Sequence, residues 1–453
     1  MRAGTAAPPR LPPPVPVRLP AVRSHRLGCG LQVVVAERHD LPVVDARLVF
    51  RSGAAGDPPA VAGRAFIAAR MLDQGTAAFT ATRLADEIET LGASLETHAG
   101  WDSTVVALHV LAPRLDAALR ILAEVGLRPT FPDDEFERQR SERISAITHE
   151  RHDPATLAGK TFAAAVYGPR HPFGAPLGGT TESLSSLGVA DVQQYHRQRA
   201  AAGNAFLVIA GDVDGDALVP ALEDLFDGWG EMPPGDASAG QADANGGGPA
   251  VIVVDRPGAP QSELRIGLPG PPRRTDDYFP LLVGNTILGG AFTSRLNILL
   301  REEKGYTYGA GTRFAFRSGG GPFLASTAVF TGATADAVHD IVREVGRMGR
   351  EAVSLEELDR ARRYLTLGLP QHFETTGDVA ERLGEVELFG LGAGYHEGWV
   401  AQVEAVTAES VADASARWLR PDALTVVVVG DAEVVVGDLE RLGTGEVHVR
   451  ASG

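Results

Sequence analysis

Short β-branched runs and longer stretches of helical periodicity alternate along this chain, and the same order occurs twice. In the first half, LQVVVAER (31–38), VVDARLVFRSG (43–53) and DSTVVALHVL (102–111) have the β-branched content of strands. Helical spacing of apolar residues runs over 60–74, 82–91, 113–125, 132–151 and 188–199. In the second half, AVIVVDR and SELRIGL predict strands, 276–288 and 294–303 predict helices, and YTYGAGTRFAF and FLASTAVF predict a hairpin turning at SGGGP (318–322). Helices follow over 333–348, 354–370 and 407–419. Each half closes on an apolar run followed by Gly-Asp, LVIAGDVDGDAL at 207–218 and LTVVVVGDAEVV at 424–435, which indicates an ancient duplication.

Between the halves, PPGDASAGQADANGGGP (233–249) offers nothing to pack and reads as a linker. The expected organisation is a Pro-rich extension over 1–20, one domain over 21–232, the linker, and a second domain over 250–453. Strands clustered with helices beside them, without strict β-α-β alternation, imply an α+β fold: helices layered on mostly antiparallel sheets.

Composition narrows the class. A chain of 453 residues, 44% hydrophobic and 22% charged, can build two well-cored globular domains. Its net charge of -16 argues against non-specific binding to nucleic acid or anionic membrane, both of which require clustered cations. Lys160 and Lys304 are the only lysines, a bias we attribute to genomic base composition and not to site chemistry. The lone Cys29 excludes an intramolecular disulfide framework and fits a reducing, cytoplasmic compartment. The Pro-rich head has no apolar core of a signal peptide, and no apolar run nears the ~20 residues of a membrane span.

Candidate chemistry concentrates in LGGAFTSRLNILLREEKGYTYGAGTRF (288–314). Arg301 falls near a helix end, Gly305 can stop that helix, and Tyr308 is expected on the following strand, with Tyr306 on the same face. A guanidinium and a phenol are hydrogen-bond donors suited to a carbonyl oxygen or a developing oxyanion. Arg301 could equally pair with Glu302, with Tyr308 half-buried in the sheet. Gly289-Gly290 suits a tight connection or a close backbone approach. His149 and His152 flank Glu150 but lack a third ligand, so they read as a polar helix end before Asp153-Pro154; His171 in HPFG reads as a turn or packing residue.

These segments, with LGCGLQVVVAERHDLPVV near the start and GTTESLSSLGVADVQQYHRQRAAAGNAFLVIAGDVD before the linker, resemble the pitrilysin/insulinase family of zinc peptidases in its short, processing-peptidase-like form. The resemblance implies two homologous α+β halves that join a second subunit around a chamber. Zinc in that family sits on His-x-x-Glu-His, with a Glu from a later helix as third ligand and an open position for the attacking water. Here Phe66, Ala69 and Arg70 occupy the motif positions, and none can ligate zinc. Ser145 or Ala146 aligns with the third ligand, and a slipped alignment would bring Glu142 or Glu150 there. The Arg and Tyr matching Arg301 and Tyr308 contact substrate carbonyls in the family. The implied function is that of a zinc-less subunit binding unfolded peptide, with zinc in a homologous partner carrying the intact motif. The alternative is a structural subunit with no part in hydrolysis.

Overall fold

The computed structural model describes residues 20–230 and 250–451. The Pro-rich extension and the linker expected at 233–249 lie outside the described residues, apart from Pro20. Each half contributes one six-stranded sheet. The first comprises β1 (Val22–Arg26), β2 (Gln32–Glu37), β3 (Val43–Phe50), β4 (Ser94–Ala99), β5 (Thr104–Leu111) and β6 (Ala205–Gly211), in the order β1-β2-β6-β3-β5-β4. The second comprises β7 (Ala250–Asp255), β8 (Gln261–Pro269), β9 (Ala310–Phe314), β10 (Pro322–Phe330), β11 (Thr425–Gly430) and β12 (Glu446–Ala451), in the order β12-β7-β11-β8-β10-β9.

Five strands of one sheet map onto five of the other in the same order, so the repeat seen in the sequence is a repeat of topology. The sixth strand differs in origin. β1 comes from the start of its half and runs antiparallel to β2, whereas β12 comes from the end of its half and runs parallel to β7. The remaining parallel pairs are β2 with β6 and β7 with β11, so both sheets are mostly antiparallel, as expected. β6 and β11 sit inside their sheets and are buried along their whole length, which explains their continuous apolar runs.

The halves cover each other. The helix Pro154–Tyr167, from the first half, lies on β8 and β11 of the second sheet; the helix Thr376–Phe389, from the second half, lies on β3 and β6 of the first. Phe162, Val166 and Tyr167 pack there with Ile252, Val254, Val427 and Val429 in one buried cluster. Gly267 permits the approach, since a Cβ there would stand 2.9 Å from the Phe162 ring. Burying a side chain such as Phe162 contributes roughly 2 kcal/mol. Arginines pin both exchanged segments by their carbonyls: Arg265 Nη2 donates to Ala155 O at 3.2 Å, and Arg47 Nη2 donates to Gly377 O at 3.2 Å. Arg317 is a further bridge, its guanidinium lying 4.4 Å from the Trp101 ring and 4.2 Å from the Phe173 ring of the other half. Ser318 N donates to Asp102 beside it, at 3.1 Å.

Neither exchanged helix was expected from apolar periodicity. The first is alanine-rich, so its buried stripe of Ala158, Phe162 and Val166 is diluted. Asp153-Pro154, read as the end of a helix, begins the next one: the Asp153 side chain accepts Thr156 N at 2.8 Å, and Pro154 takes the first helical position. Other elements outside the expected set are β1, β4, β12 and the helices Thr181–Ser186, Gly215–Leu225, Tyr395–Ala405 and Ala432–Leu442.

Candidate functional site

The helix Tyr278–Asn285 widens into a π-helical turn at Thr286–Gly290, and after a short loop a second π-helical stretch spans Asn297–Glu303. Such widened turns frequently occur at functional sites. Gly289 turns its bare face to β9, where a Cβ would lie 2.6 Å from Thr312 Oγ1; this is the close approach its sequence position allowed. The second stretch stops at Gly305, whose φ of +65° is left-handed, while Tyr306 N reaches back to Leu300 O at 2.8 Å. Lys304 Nζ meets the buried carboxylate of Asp340 at 2.5 Å and anchors this end.

Arg301 stands on that stretch, one-third exposed. Its guanidinium lies 4.3 Å from the centre of the Phe292 ring, and Nη1 is 3.1 Å from Glu302 Oε1, the local pairing anticipated as an alternative. Tyr308 is not on the strand. β9 begins only at Ala310, and Tyr308 occupies the preceding loop with its side chain 92% exposed, so it is not half-buried sheet packing either. The loop forms because Thr307 Oγ1 accepts Gly309 N at 3.1 Å and donates to Gly309 O at 2.9 Å, which diverts the backbone from the ladder. Strand alternation therefore does not apply, and the two tyrosines part. Tyr306 packs edge-on against Phe330, with ring centroids 5.6 Å apart, while Tyr308 projects into solvent.

Asn297 ties these pieces together. Its Nδ2 donates to Ala291 O (3.3 Å), Ser294 Oγ (3.2 Å) and Ala310 O (2.8 Å), and its Oδ1 accepts Ala310 N at 3.0 Å. One buried amide thus joins the loop carrying Phe292, the turn carrying Arg301 and the strand after Tyr308. Its sequence signal was a polar residue within the apolar run LNILL, since a buried amide requires partners.

In the first half, Phe66, Ala69 and Arg70 lie on the helix Arg64–Met71, which packs against the helix Asp133–Glu150. Ala69 is fully buried in the core. Arg70 Nε donates to Gln139 Oε1 at 2.6 Å, and Arg70 Nη2 is 3.7 Å from Glu142 Oε2. The residues opposite Arg70 are therefore Gln139 and Glu142, one to two turns before Ser145 and Ala146. The Phe66 ring is flanked by two guanidiniums, Arg70 at 5.8 Å and Arg143 at 5.5 Å. Arg143 donates to Gly178 O at 2.9 Å and pairs with Glu150. The Arg143 guanidinium, with Lys160 Nζ 2.7 Å away, holds the Glu150 carboxyl below its ordinary range. Glu150 is thus committed to cations.

His149 and His152 are exposed at the helix end, and His171 is buried in its turn, where Nδ1 accepts Phe173 N at 3.0 Å. Among the described residues, no three His, Cys, Asp or Glu side chains stand close enough to hold a metal ion. A cavity of about 1130 Å³ opens among the helices of the second half beside Arg273, Tyr395 and Trp399, and neither Arg301 nor Tyr308 lines it. No helix among the described residues is long and apolar enough to cross a membrane.

The family profile for Insulinase (Peptidase family M16) matches residues 32–170, and the profile for the Peptidase M16 inactive domain matches residues 186–365. The chain belongs to the insulinase family, peptidase family M16. It is similar to an uncharacterized zinc protease of Mycobacterium leprae, 28% identical over 87% of this chain and 84% of the relative. An uncharacterized zinc protease of Mycobacterium tuberculosis is 28% identical over 93% and 96%. Among solved structures, the peptidase M16 inactive domain from Pseudomonas fluorescens superimposes with a TM-score of 0.83 at 25% identity, over 90% of this chain and 98% of that one. A protease from Helicobacter pylori shares the fold, with a TM-score of 0.82 at 16% identity over 91% and 100%. This insulinase-family chain thus has the two-half α+β architecture that the resemblance implied.

Proposed function

We propose that this insulinase-family chain is a zinc-less subunit of a heteromeric, cytoplasmic metallopeptidase. In this reading it binds unfolded peptide through Arg301 and Tyr308 and completes the chamber around zinc held by a homologous partner with an intact His-x-x-Glu-His. The observation that carries the reading is the cluster at the altered metal position. Phe66 stands between Arg70 and Arg143, and Glu142, the carboxylate facing Arg70, is also paired with Arg138 at 2.7 Å. Permanent cations at the place of metal ligands oppose a divalent ion and offer it no lone pair.

The second-half pair supports the reading from the other side. Arg301 lies one-third exposed, and among the described residues its one ion partner is the exposed Glu302, a kind of pairing worth about 0 to 1 kcal/mol; its Nη1 makes no hydrogen bond, which leaves a donor for a substrate carbonyl. Tyr308 offers its hydroxyl to solvent, with the backbone of Tyr306 before it and of Gly309 and Ala310 after it hydrogen-bonded. That same Arg301–Glu302 pairing favours a second reading, a structural subunit whose arginine serves only its own helix.

Purification with the partner decides between them. The chain alone should show no chelator-sensitive peptidase activity and no stoichiometric zinc, and the complex should cut unfolded peptide. Arg301→Ala or Tyr308→Phe should then lower turnover strongly with assembly intact, since a lost oxyanion donor costs roughly 2.7 to 4 kcal/mol. Zinc-dependent cleavage by the isolated chain would overturn the proposal, and unchanged turnover in both variants would favour the structural reading.

A further inference from the structure

Phe292 has no evident reason to be where it is if only folding matters. It is 67% exposed, in the loop that joins the two π-helical stretches, and its ring lies 4.3 Å from the Arg301 guanidinium. Tyr308, 92% exposed, stands on the neighbouring loop. Large aromatic side chains left in water are a cost that loose loops relieve by collapsing onto nearby apolar surface. Here collapse is blocked. Asn297 takes hold of Ala291 O, one residue before Phe292, and of both backbone groups of Ala310, two residues after Tyr308. Thr307 clamps Gly309 in between, and Thr327 Oγ1 donates to the same Gly309 carbonyl at 2.9 Å.

The result is two aromatic rings and a guanidinium gathered around one buried amide and held up to solvent by hydrogen-bonded backbone. Tyrosine and arginine presented rigidly are the residues that dominate binding hot spots, because little conformational entropy is lost when a ligand settles on them. Arg301 and Tyr308 provide donors for backbone carbonyls. Phe292 has nothing polar to offer, so its contribution is to the side chain beside the carbonyl that is held.

We propose that Phe292 forms an apolar subsite next to Arg301 and selects peptide segments carrying a bulky apolar side chain beside the carbonyl that Arg301 holds. The inference rests on the reading above that this chain holds peptide with Arg301 and Tyr308. Asn297 acts as a positioning residue, setting the loop from which the ring projects.

The test uses the reconstituted complex and a series of Gly-Ser peptides in which a single phenylalanine is walked past the scissile bond. The readout is the ratio of kcat/KM for the best phenylalanine peptide to that for the all-Gly-Ser peptide. Phe292→Ala should lower this ratio about tenfold, the scale expected when one aromatic contact is lost, with the effect in KM. Phe292→Leu, which keeps an apolar side chain without the ring, should retain part of the ratio. Arg301→Ala should depress both peptides alike and leave the ratio unchanged. A ratio unaffected by Phe292→Ala in an intact complex would overturn the subsite. Failure of Phe292→Ala to assemble with the partner, while Arg301→Ala assembles, would also overturn it by assigning the ring to the subunit interface. Turnover untouched by Arg301→Ala would count against the peptide-holding reading, whatever Phe292 does.

Discussion

Asn297 closes two hydrogen bonds with Ala310, donating from Nδ2 to its carbonyl at 2.8 Å and accepting its amide on Oδ1 at 3.0 Å. The side chain thereby stands in for a strand neighbour at the first residue of β9. Asn297→Ala leaves both groups of Ala310 without that partner, while the Ala291 carbonyl keeps its bond from Ser294 N, and each buried orphan costs about 1 to 3 kcal/mol. Since water can reach part of the loop, we expect a total loss of about 2 to 4 kcal/mol in urea unfolding. The Ala310 amide should also exchange faster with solvent than in the wild type. Equal stability together with unchanged exchange would show that the amide does not hold the loop.

Arg295, on the same loop, meets Glu357 through Nε at 2.6 Å and Nη2 at 3.0 Å, and the Glu357 carboxylate also closes the capping box with Ser354. The Arg295 contact depresses the Glu357 pKa from 4.5 to about 2. A carboxyl depressed in the folded state adds stability that is complete above its unfolded value and disappears as pH falls through the folded one. The contribution should therefore be present at neutral pH and drain away between 4.5 and about 2. Glu357→Gln should destabilise clearly at neutral pH, by denaturant midpoint, and progressively less through that window. A gap between wild type and variant that stays constant across it would contradict the pairing.

The parts of this molecule legible in the sequence were those whose residues interact locally. β2, β3, β5 to β8 and the β9–β10 hairpin follow from β-branched runs, and Gly305 marked the end of its helix because a left-handed stop favours glycine. The helices Pro154–Tyr167 and Thr376–Phe389 escaped because few large apolar residues mark their buried faces, Phe162 and Val166 among alanines in the first and Val379 beside Ala380 in the second. Tyr308 was placed on a strand because alternation cannot foresee a threonine side chain capturing the next turn. Around Phe66, the residues that the resemblance places at the metal-motif positions could be named from the sequence. That Arg143 would arrive against Phe66 could not be read there, since it depends on the register between two helices far apart in sequence.

Exchange of those two helices makes each half incomplete by itself. Removing Pro154–Tyr167 from the second sheet would expose the apolar face around Val427 and Val429, and removing Thr376–Phe389 would do the same to β3 and β6. A chain cut between residues 230 and 250 should therefore stay associated under native conditions and elute as one species. The halves expressed separately should be insoluble or bind a hydrophobic dye, and co-expression should rescue them. Two halves that each fold as stable monomers would show that the exchanged helices are dispensable.

On the proposed reading of Phe66, Ala69 and Arg70 as the metal-motif positions, the cluster around Phe66 also predicts what it would take to build a metal site there. Phe66→His and Arg70→His would place two imidazoles at i and i+4 on one helical face, with Glu142, 3.7 Å from Arg70 and paired with Arg138 at 2.7 Å, as the carboxylate to recruit for a third ligand. Arg143 stays in place, held by Gly178 O and Glu150 with its guanidinium 5.5 Å from the residue 66 ring. A single cation at that range from a divalent ion opposes binding by on the order of 5 kcal/mol, before the Glu150 carboxylate offsets part of it. The double variant should therefore fail to take up stoichiometric zinc. Adding Arg143→Ala should allow uptake, seen by metal analysis and as a chelator-sensitive rise in Tm. Peptidase activity should remain absent in this triple variant, because the proposed general-base position holds Ala69, fully buried, and a glutamate placed there would enter the core. If the double variant alone binds zinc as tightly as the triple, Arg143 is not the obstacle.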